Sequence, residues 1–243
     1  MREDIHPDQV RRLAPKEIFQ FNCHLGVPCF NECCQDLELA LTPYDVIRLS
    51  KNLSLSANDF LNNYCLIEQD DEKNIPQVYL GMIDDGRASC PFVTPDGCQV
   101  YADRPGACRT YPLGRAAFKT QYNAINDFHV LLSEPHCQGF SEQKSQDAEQ
   151  WITTQGLPEY NAANDALLDL LYHPQMKVGL SPAQADVFLQ TLYRQDEFRN
   201  LVMAKDFRSH TMPTPDELST MAMDNTTLLN FAIRWLRHEL FNE

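Results

Sequence analysis

Long hydrophobic segments are absent from this chain of 243 residues. Its apolar stretches fall far short of the roughly 18 residues that a transmembrane helix needs, so no membrane span is predicted. The N-terminus, MREDIHPDQVRRLAPKE, lacks the apolar core of a secretory signal, so we expect none. The expected location is therefore the reducing cytoplasm, where clustered cysteines serve as ligands or redox groups more often than as structural disulfides.

Positive charge is also scarce. The 20 lysine and arginine residues are outnumbered by 34 aspartate and glutamate residues, and the formal net charge is −14. An acidic surface repels phosphate backbones and anionic lipids, so we predict neither nucleic acid nor a membrane as a partner. A Ser/His/Asp order, a phosphate-binding loop and an HExxH motif are absent too, which leaves hydrolase and NTPase functions without support.

Cysteine is the residue type whose placement stands out. Of nine cysteines, four lie within residues 23–34 as Cys-x5-Cys-x3-Cys-Cys, and three follow within residues 90–108 as Cys-x7-Cys-x9-Cys. Cys137 ends the series, and residues 138–243 contain no cysteine. Cys65 stands apart after an amphipathic helix, and we predict that it packs in the core. The others are too segregated for generic packing, so we expect a metal ion, an iron–sulfur cluster or disulfides.

The spacing of these cysteines does not decide between zinc and an iron–sulfur cluster, because thiolates bind both. Zinc-finger, four-cysteine ferredoxin and radical-SAM spacings are all absent. The vicinal pair Cys33-Cys34 is awkward for one tetrahedral ion, because neighbouring side chains diverge. Two metal sites, a polynuclear cluster, or one thiol packed as core would each accommodate the pair.

Three segments carry a family resemblance: FNCHLGVPCFNECC, LTPYDVIRL and CPFVTPDGCQVYADRPGACRTYPLG. They resemble the YkgJ-type cysteine-cluster family, known as a zinc- or iron-chelating domain and distantly similar to flagellin lysine N-methylase. The resemblance covers roughly residues 19–140. It implies a metal-binding set of eight cysteines: Cys23, Cys29, Cys33, Cys34, Cys90, Cys98, Cys108 and Cys137.

The cofactor that this resemblance implies depends on the relative chosen. The methylase implies a 4Fe-4S cluster and S-adenosylmethionine chemistry, whereas other members imply one or two Zn²⁺ ions. No glycine-rich loop for S-adenosylmethionine follows a predicted strand. Arg104 and Arg109 flank Cys108, and we predict that they support the centre by offsetting thiolate charge, by donating hydrogen bonds to sulfur or by holding a substrate carboxylate. An ion pair with a surface acid is the alternative role for both.

The predicted fold class is α+β, with a small irregular cysteine-rich unit followed by a mainly α-helical C-terminal half. We predict an N-terminal arm or short helix over residues 1–18, a metal-binding domain over 19–140 and a helical region over 141–243. Helix starts are predicted at Thr42 and Ser56, and further helices over 145–154, 158–172, 182–204, 215–223 and 226–240. Strands are predicted over 77–83, 99–101 and 115–122.

Two classes of function follow from these features. The first is an iron–sulfur protein with redox or S-adenosylmethionine-linked modification of a protein partner. The second is a non-catalytic zinc-binding structural or interaction module, or a metal-handling protein. In both, the helical C-terminal half is the predicted surface for a protein partner.

Overall fold

The computed structural model describes residues 9–69 and 72–241. The chain divides into two compact units, each built from two chain segments. The first unit contains residues 1–39 and 80–161, and the second contains residues 40–79 and 162–243. The predicted domains, with boundaries after residues 18 and 140, are continuous stretches of sequence, whereas each compact unit combines two separate segments. The predicted boundaries therefore stay predictions. Residues 1–8 of the predicted arm lie outside the described residues.

Short strands occupy the first part of the chain, and helices dominate the second. The strands are β1 (Val10–Arg12), β2 (Phe19–Gln20), β3 (Cys65–Gln69), β4 (Pro76–Leu80), β5 (Val93–Thr94), β6 (Gly97–Cys98), β7 (Leu113–Lys119), β8 (Ile125–Leu132) and β9 (Ser145–Gln146). The helices are α1 (Pro43–Leu53), α2 (Ala57–Tyr64), α3 (Gly106–Thr110), α4 (Ala148–Thr154), α5 (Leu157–Leu171), α6 (Pro182–Leu192), α7 (Gln195–Met203), α8 (Pro215–Met221) and α9 (Asn225–Phe241). These elements confirm the predicted α+β class with a helical C-terminal half. Within the described residues, every helix is too short or too polar to cross a membrane.

An antiparallel sheet with the strand order β1-β8-β7 forms the frame of the first unit. Leu113 pairs with Leu131, and Val10 pairs with Leu132. The predicted strand over 115–122 is too long at its end, because the chain reverses over residues 120–124, where Asn123 adopts a left-handed φ of 61°. β8 was not predicted, since the first half of this strand is exposed on both faces and shows little alternation. Residues 10–12 form β1 rather than the predicted arm or short helix.

Aromatic rings fill the core of this first unit. Phe21 packs edge-to-face on Trp151, with ring centroids 5.5 Å apart, and on Phe140 at 5.1 Å. The close approach of Phe21 requires a glycine at position 139, because a Cβ there would lie 2.6 Å from the ring. Cys137 packs against the edge of this core, so the hydrophobic cluster fixes one end of the cysteine series.

In the second unit, the helix starts predicted at Thr42 and Ser56 are confirmed. Thr42 and Asp45 form a capping box at α1, with Pro43 in the first turn, and Ser56 accepts a hydrogen bond from the Asp59 N–H at α2. These side chains satisfy N–H groups that a helix start leaves without partners.

The helix predicted over 182–204 is interrupted in the structure. α6 ends at Leu192 and α7 begins at Gln195, whose side-chain amide donates to the carbonyls of Thr191 and Leu192 at 2.9 and 3.1 Å. This buried amide takes up carbonyls at the end of α6, so a break is stable where the apolar pattern continues. The strand predicted over 99–101 is also wrong. A bond from the Asp103 N–H to the Val100 carbonyl closes a 3-10 turn over Tyr101–Asp103.

Candidate metal centre

All eight cysteines of the predicted metal-binding set belong to the first compact unit. Cys65 lies in the second unit at the start of β3. Every one of the nine is a free thiol; Cys23 and Cys108 are exposed, and the others are partly buried. Cys65 therefore belongs to a different compact unit from the eight cysteines of the predicted set.

A series of tight turns shapes the first cysteine block. The N–H groups of Val27, Phe30 and Cys34 each bond to a carbonyl three residues earlier. Asn31 has a positive φ of 70°, which an asparagine tolerates better than most residues. The result is the irregular loop that the sequence predicted. Its repeated reversals bend the short segment that carries four thiols.

Backbone hydrogen bonds join this loop to the second cysteine block. The Cys90 N–H donates to the Cys34 carbonyl at 2.8 Å, and the Asp36 N–H donates to the Ala88 carbonyl at 2.8 Å. Cys98 lies in β6, where it pairs with Val93 of β5. These contacts place Cys90 and Cys98 beside the vicinal pair despite more than fifty intervening residues.

Cys137 reaches the first block from the other side. Its N–H closes a turn onto the Glu134 carbonyl, and the next residue, Gln138, donates its N–H to the Cys29 Sγ at 3.1 Å. A backbone N–H aimed at sulfur stabilises the thiolate form, which is the form that binds metal. This contact thus connects the segment that carries the last cysteine of the series to Cys29 in the first block and prepares Cys29 for ligation.

Cys33 is the common neighbour of the thiols, as their mutual influence on pKa indicates. Burial, together with the nearby thiols of Cys33, Cys29 and Cys137, raises the pKa of Cys23 to about 11. Burial also raises the pKa of Cys137, with Cys29 and Cys33 again close by. These four residues form the first group of neighbouring thiols.

Cys34 belongs to a second group of thiols. A hydrogen bond with the Cys33 side chain raises the pKa of Cys34 most, followed by burial and by the nearby Cys33, Cys90 and Cys108 thiols. Burial raises the pKa of Cys90 and of Cys98, and Cys33 is close to both. The second group is therefore Cys34, Cys90, Cys98 and Cys108, and Cys33, a member of the first group, also lies beside the second.

The donor set of these groups fits a thiolate-bound metal centre. Thiols that raise one another's pKa cannot all ionise unless positive charge is added, and a bound metal supplies that charge while protons leave. Within residues 9–69 and 72–241, no three Cys, His, Asp or Glu side chains already meet around one point at coordination distance. That the eight cysteines are ligands stays a prediction; the structure brings them together.

Arg104 lies near two of the thiols. Burial lowers the pKa of Arg104, whereas the nearby Cys108 and Cys98 thiols act to raise it. Its guanidinium also donates to the Tyr101 carbonyl at 2.9 Å and to the side chain of Gln155. Arg104 is therefore held where its positive charge can offset the negative charge of thiolates.

Arg109 has a different set of partners from the one predicted. Arg109 is buried, with 7% of the residue exposed, and its guanidinium donates to the carbonyls of Arg104 at 3.0 Å, of Gln155 at 2.7 Å, and of Ala102. Its hydrogen bonds thus go to backbone oxygen atoms rather than to sulfur or to an acid. Arg109 stabilises the loop that carries Arg104 and Cys108. Its effect on the centre is therefore to position these two residues.

Tyr111 is a site residue that sequence reasoning treated only as part of a turn. Burial raises the pKa of its hydroxyl, and Cys137 and Glu134 beside it act in the same direction. The Tyr111 hydroxyl is buried without a hydrogen bond of ordinary geometry. A buried hydroxyl beside a thiol can donate to that sulfur once the thiol is ionised. The sequence offered one signal, the position of Tyr111 two residues after the Arg-x-x-x-Cys-Arg segment.

A family model covers the part of the chain that contains the eight cysteines. The CxxCxxCC family, whose description is "Putative zinc- or iron-chelating domain", matches residues 22–144, just over half of the chain. The first cysteine block departs from the spacing in the family's name, because it has five and three residues between its first three cysteines instead of two and two. Neither the curated proteins nor the solved structures include a significant match. The match over 22–144, with the thiols gathered inside it, establishes that the chain belongs to this zinc- or iron-chelating family.

Proposed function

We propose that the chain holds an iron–sulfur cluster, of the 4Fe-4S type, through its clustered cysteines. The observation that supports this proposal best is the position of Cys33 beside both thiol groups. A tetrahedral zinc ion takes four ligands, whereas a polynuclear cluster spreads its cysteine ligands over several iron atoms. The set of eight thiols, in which Cys33 lies beside five of the other seven, is larger than a single ion requires.

The residues around the thiols suit a centre that carries negative charge. Arg104 places a guanidinium near Cys98 and Cys108, and the Gln138 N–H donates to the Cys29 sulfur. Such donors stabilise thiolates and raise the reduction potential of a centre. A bound iron–sulfur cluster supplies electron transfer, and we propose that this serves redox or S-adenosylmethionine-linked modification of a protein partner.

Zinc is the second candidate, and the division of the thiols into two groups of four favours it. Each group has the ligand number of a structural zinc site, and the vicinal pair contributes one thiol to each. In that case two Zn²⁺ ions stabilise the irregular loops, because metal-binding free energy adds to folding free energy. The helical half of the chain then serves as the partner-binding surface of a non-catalytic module.

Metal and sulfide analysis of protein purified without oxygen separates the two candidates. The cluster predicts a brown protein with about four iron atoms and about four acid-labile sulfides per chain. Cys33→Ser should lose most of this iron, since Cys33 neighbours both groups, whereas the matched control Cys65→Ser should keep it. A colourless protein with stoichiometric zinc and no sulfide would reject the cluster and support the zinc module.

The S-adenosylmethionine branch of the proposal has its own test. Calorimetric titration of the anaerobic, iron-loaded protein with S-adenosylmethionine should give saturable binding if modification depends on this cofactor. Absence of binding in a sample with full iron and sulfide content restricts the proposal to redox chemistry.

A further inference from the structure

The side chain of Tyr111 lies between the aromatic core of the first unit and the end of the cysteine series. Tyr111 and Cys137 both pack against the hydrophobic cluster that contains Phe21 and Trp151. The Tyr111 ring meets the Phe21 ring edge to face, with the centroids 5.9 Å apart. Because this contact restricts the ring, the hydroxyl at its far end keeps a defined position beside the core.

The backbone at Tyr111 connects two segments that carry cysteines. The Tyr111 N–H donates at 3.3 Å to a carbonyl of α3, the helix that carries Cys108. The carbonyl of the next residue, Pro112, accepts from the N–H of Leu132 at 2.8 Å, at the end of β8. The chain then continues from β8 to the turn at Cys137. Tyr111 is therefore fixed relative to both segments.

Two acceptor groups lie beside the Tyr111 hydroxyl, the thiol of Cys137 and the carboxylate of Glu134. They stand at the two ends of one tight turn, which the Cys137 N–H closes by donating to the Glu134 carbonyl at 3.0 Å. Within the described residues, the buried hydroxyl oxygen makes no hydrogen bond of ordinary geometry. A hydroxyl in this position costs free energy until one of the two acceptors approaches it.

The ionisation of Cys137 decides between these two acceptors. A neutral thiol is a weak acceptor, whereas a thiolate forms a hydrogen bond about twice as strong as a neutral pair does. The carboxylate of Glu134 has a further neighbour, because the His136 Nε2 lies 3.8 Å from it. A metal ion that binds Cys137 as a thiolate therefore makes this sulfur the favoured partner of the hydroxyl.

The thiols near Tyr111 also receive backbone donors. The Gln138 N–H donates to the Cys29 Sγ at 3.1 Å. Burial raises the pKa of Cys137, and the Tyr111 hydroxyl and the Gly139 N–H act in the opposite direction. Neutral donors thus face both sulfurs, and the donor from Tyr111 belongs to a side chain. It can be removed by mutation while the backbone stays unchanged.

We propose that Tyr111 is a positioning residue of the metal centre, and that its hydroxyl donates to the Cys137 sulfur when a metal is bound. This inference rests on the proposed function, and it applies to a cluster and to zinc alike, because both bind thiolates. The hydrogen bond satisfies the buried hydroxyl and draws electron density from the sulfur. Its loss should therefore weaken metal binding and change the electronic absorption of the metal–sulfur bond.

Titration with Co²⁺ tests this proposal, because Co²⁺ binds the same ligand types as other divalent metals and its thiolate complexes absorb by charge transfer. The full-length protein is purified without oxygen, freed of metal with a chelator and titrated with Co²⁺. Tyr111→Phe keeps the ring that packs on Phe21 and removes only the hydroxyl. It should bind Co²⁺ roughly tenfold more weakly, as is typical when a group that supports a metal ligand is lost. Its charge-transfer band should move to lower energy, because the sulfur lone pairs lose a hydrogen bond.

Two control variants separate this hydrogen bond from its surroundings. Tyr193→Phe removes a buried hydroxyl of the second unit, which donates to the Leu41 carbonyl at 3.1 Å. Leu113→Val removes a methylene from the hydrophobic cluster against which Tyr111 packs, and it removes no donor. Both controls should keep the charge-transfer band and the Co²⁺ affinity of the unmodified protein.

The proposal is overturned if Tyr111→Phe keeps the original band and affinity, or if Leu113→Val changes them to the same extent. The second result would assign the effect of Tyr111 to packing. The same titration keeps this proposal distinct from the proposed function. An unmodified protein that binds no Co²⁺ rejects the metal centre and the role of Tyr111 with it, whereas equal binding by the unmodified protein and Tyr111→Phe rejects only the role of Tyr111.

Discussion

The role of Arg109 can be tested by replacing it with lysine, which keeps the charge and removes the fork of donors. In the structure, three guanidinium nitrogens donate to the carbonyls of Arg104, Gln155 and Ala102. The guanidinium carbon also lies 4.8 Å from the ring centroid of Tyr160. A lysine ammonium is a single point charge on a flexible stem, and it cannot reach all three carbonyls together.

The expected loss of unfolding free energy follows from the number of carbonyls that lose their hydrogen-bond donor. A buried polar group left without a partner costs about 1 to 3 kcal/mol. If the lysine serves one of the three carbonyls, two remain, and water that reaches them offsets part of the cost. We therefore expect Arg109→Lys to reduce the free energy of unfolding of the first unit by about 2 to 4 kcal/mol.

The two tryptophans of the chain allow this unit to be followed by itself. Trp151 lies in the core of the first unit, and its indole N–H donates to the Thr110 carbonyl, the residue after Arg109, at 3.0 Å. In a Trp235→Phe background, urea unfolding monitored by fluorescence reports on Trp151. The matched control is Arg87→Lys, where the exposed pair with Glu32 predicts a change below about 1 kcal/mol. A loss for Arg109→Lys no larger than for the control would refute the reasoning.

Two further predictions concern single positions in the two units. Gly139→Ala should destabilise the first unit by about 1 to 3 kcal/mol in the same fluorescence assay, because the added Cβ would lie 2.6 Å from the Phe21 ring; an unchanged midpoint would contradict this. The Thr214 backbone N–H is the largest influence that holds the pKa of Glu217 below its ordinary value of 4.5, with Arg234 contributing. Because the folded-state pKa is lowered, this stabilisation of α8 is present above pH 4.5 and is lost as the pH falls through the folded value. Glu217→Gln should remove that pH dependence, measured as amide exchange in α8, and equal pH profiles for both proteins would count against it.

Local signals in the sequence were sufficient wherever a short segment decides its own structure. The start of α1 depends on Thr42, Pro43 and Asp45, which are adjacent and need no distant partner. The start of α8 likewise depends on the capping box from Thr214 to Glu217. The loop over the first cysteine block was also predicted, because glycine, proline and asparagine interrupt any regular period there.

Predictions failed where a distant or buried partner decides the structure. The exposed first half of β8 gives little alternation, and pairing with β7 defines the strand. The break between α6 and α7 depends on a buried glutamine side chain, which an apolar pattern does not reveal. Arg109 was predicted to contact a thiolate, a substrate carboxylate or a surface acid. In the fold, its guanidinium donates to backbone carbonyls.

By itself, the sequence determined that eight thiols form two ordered blocks and that Cys65 lies apart, because the order and spacing of cysteines are properties of the chain. Only the tertiary structure decided which thiols are neighbours. Cys33 lies beside both groups because the chain reverses sharply at Asn31 and because the Cys90 N–H bonds to the Cys34 carbonyl across 55 intervening residues.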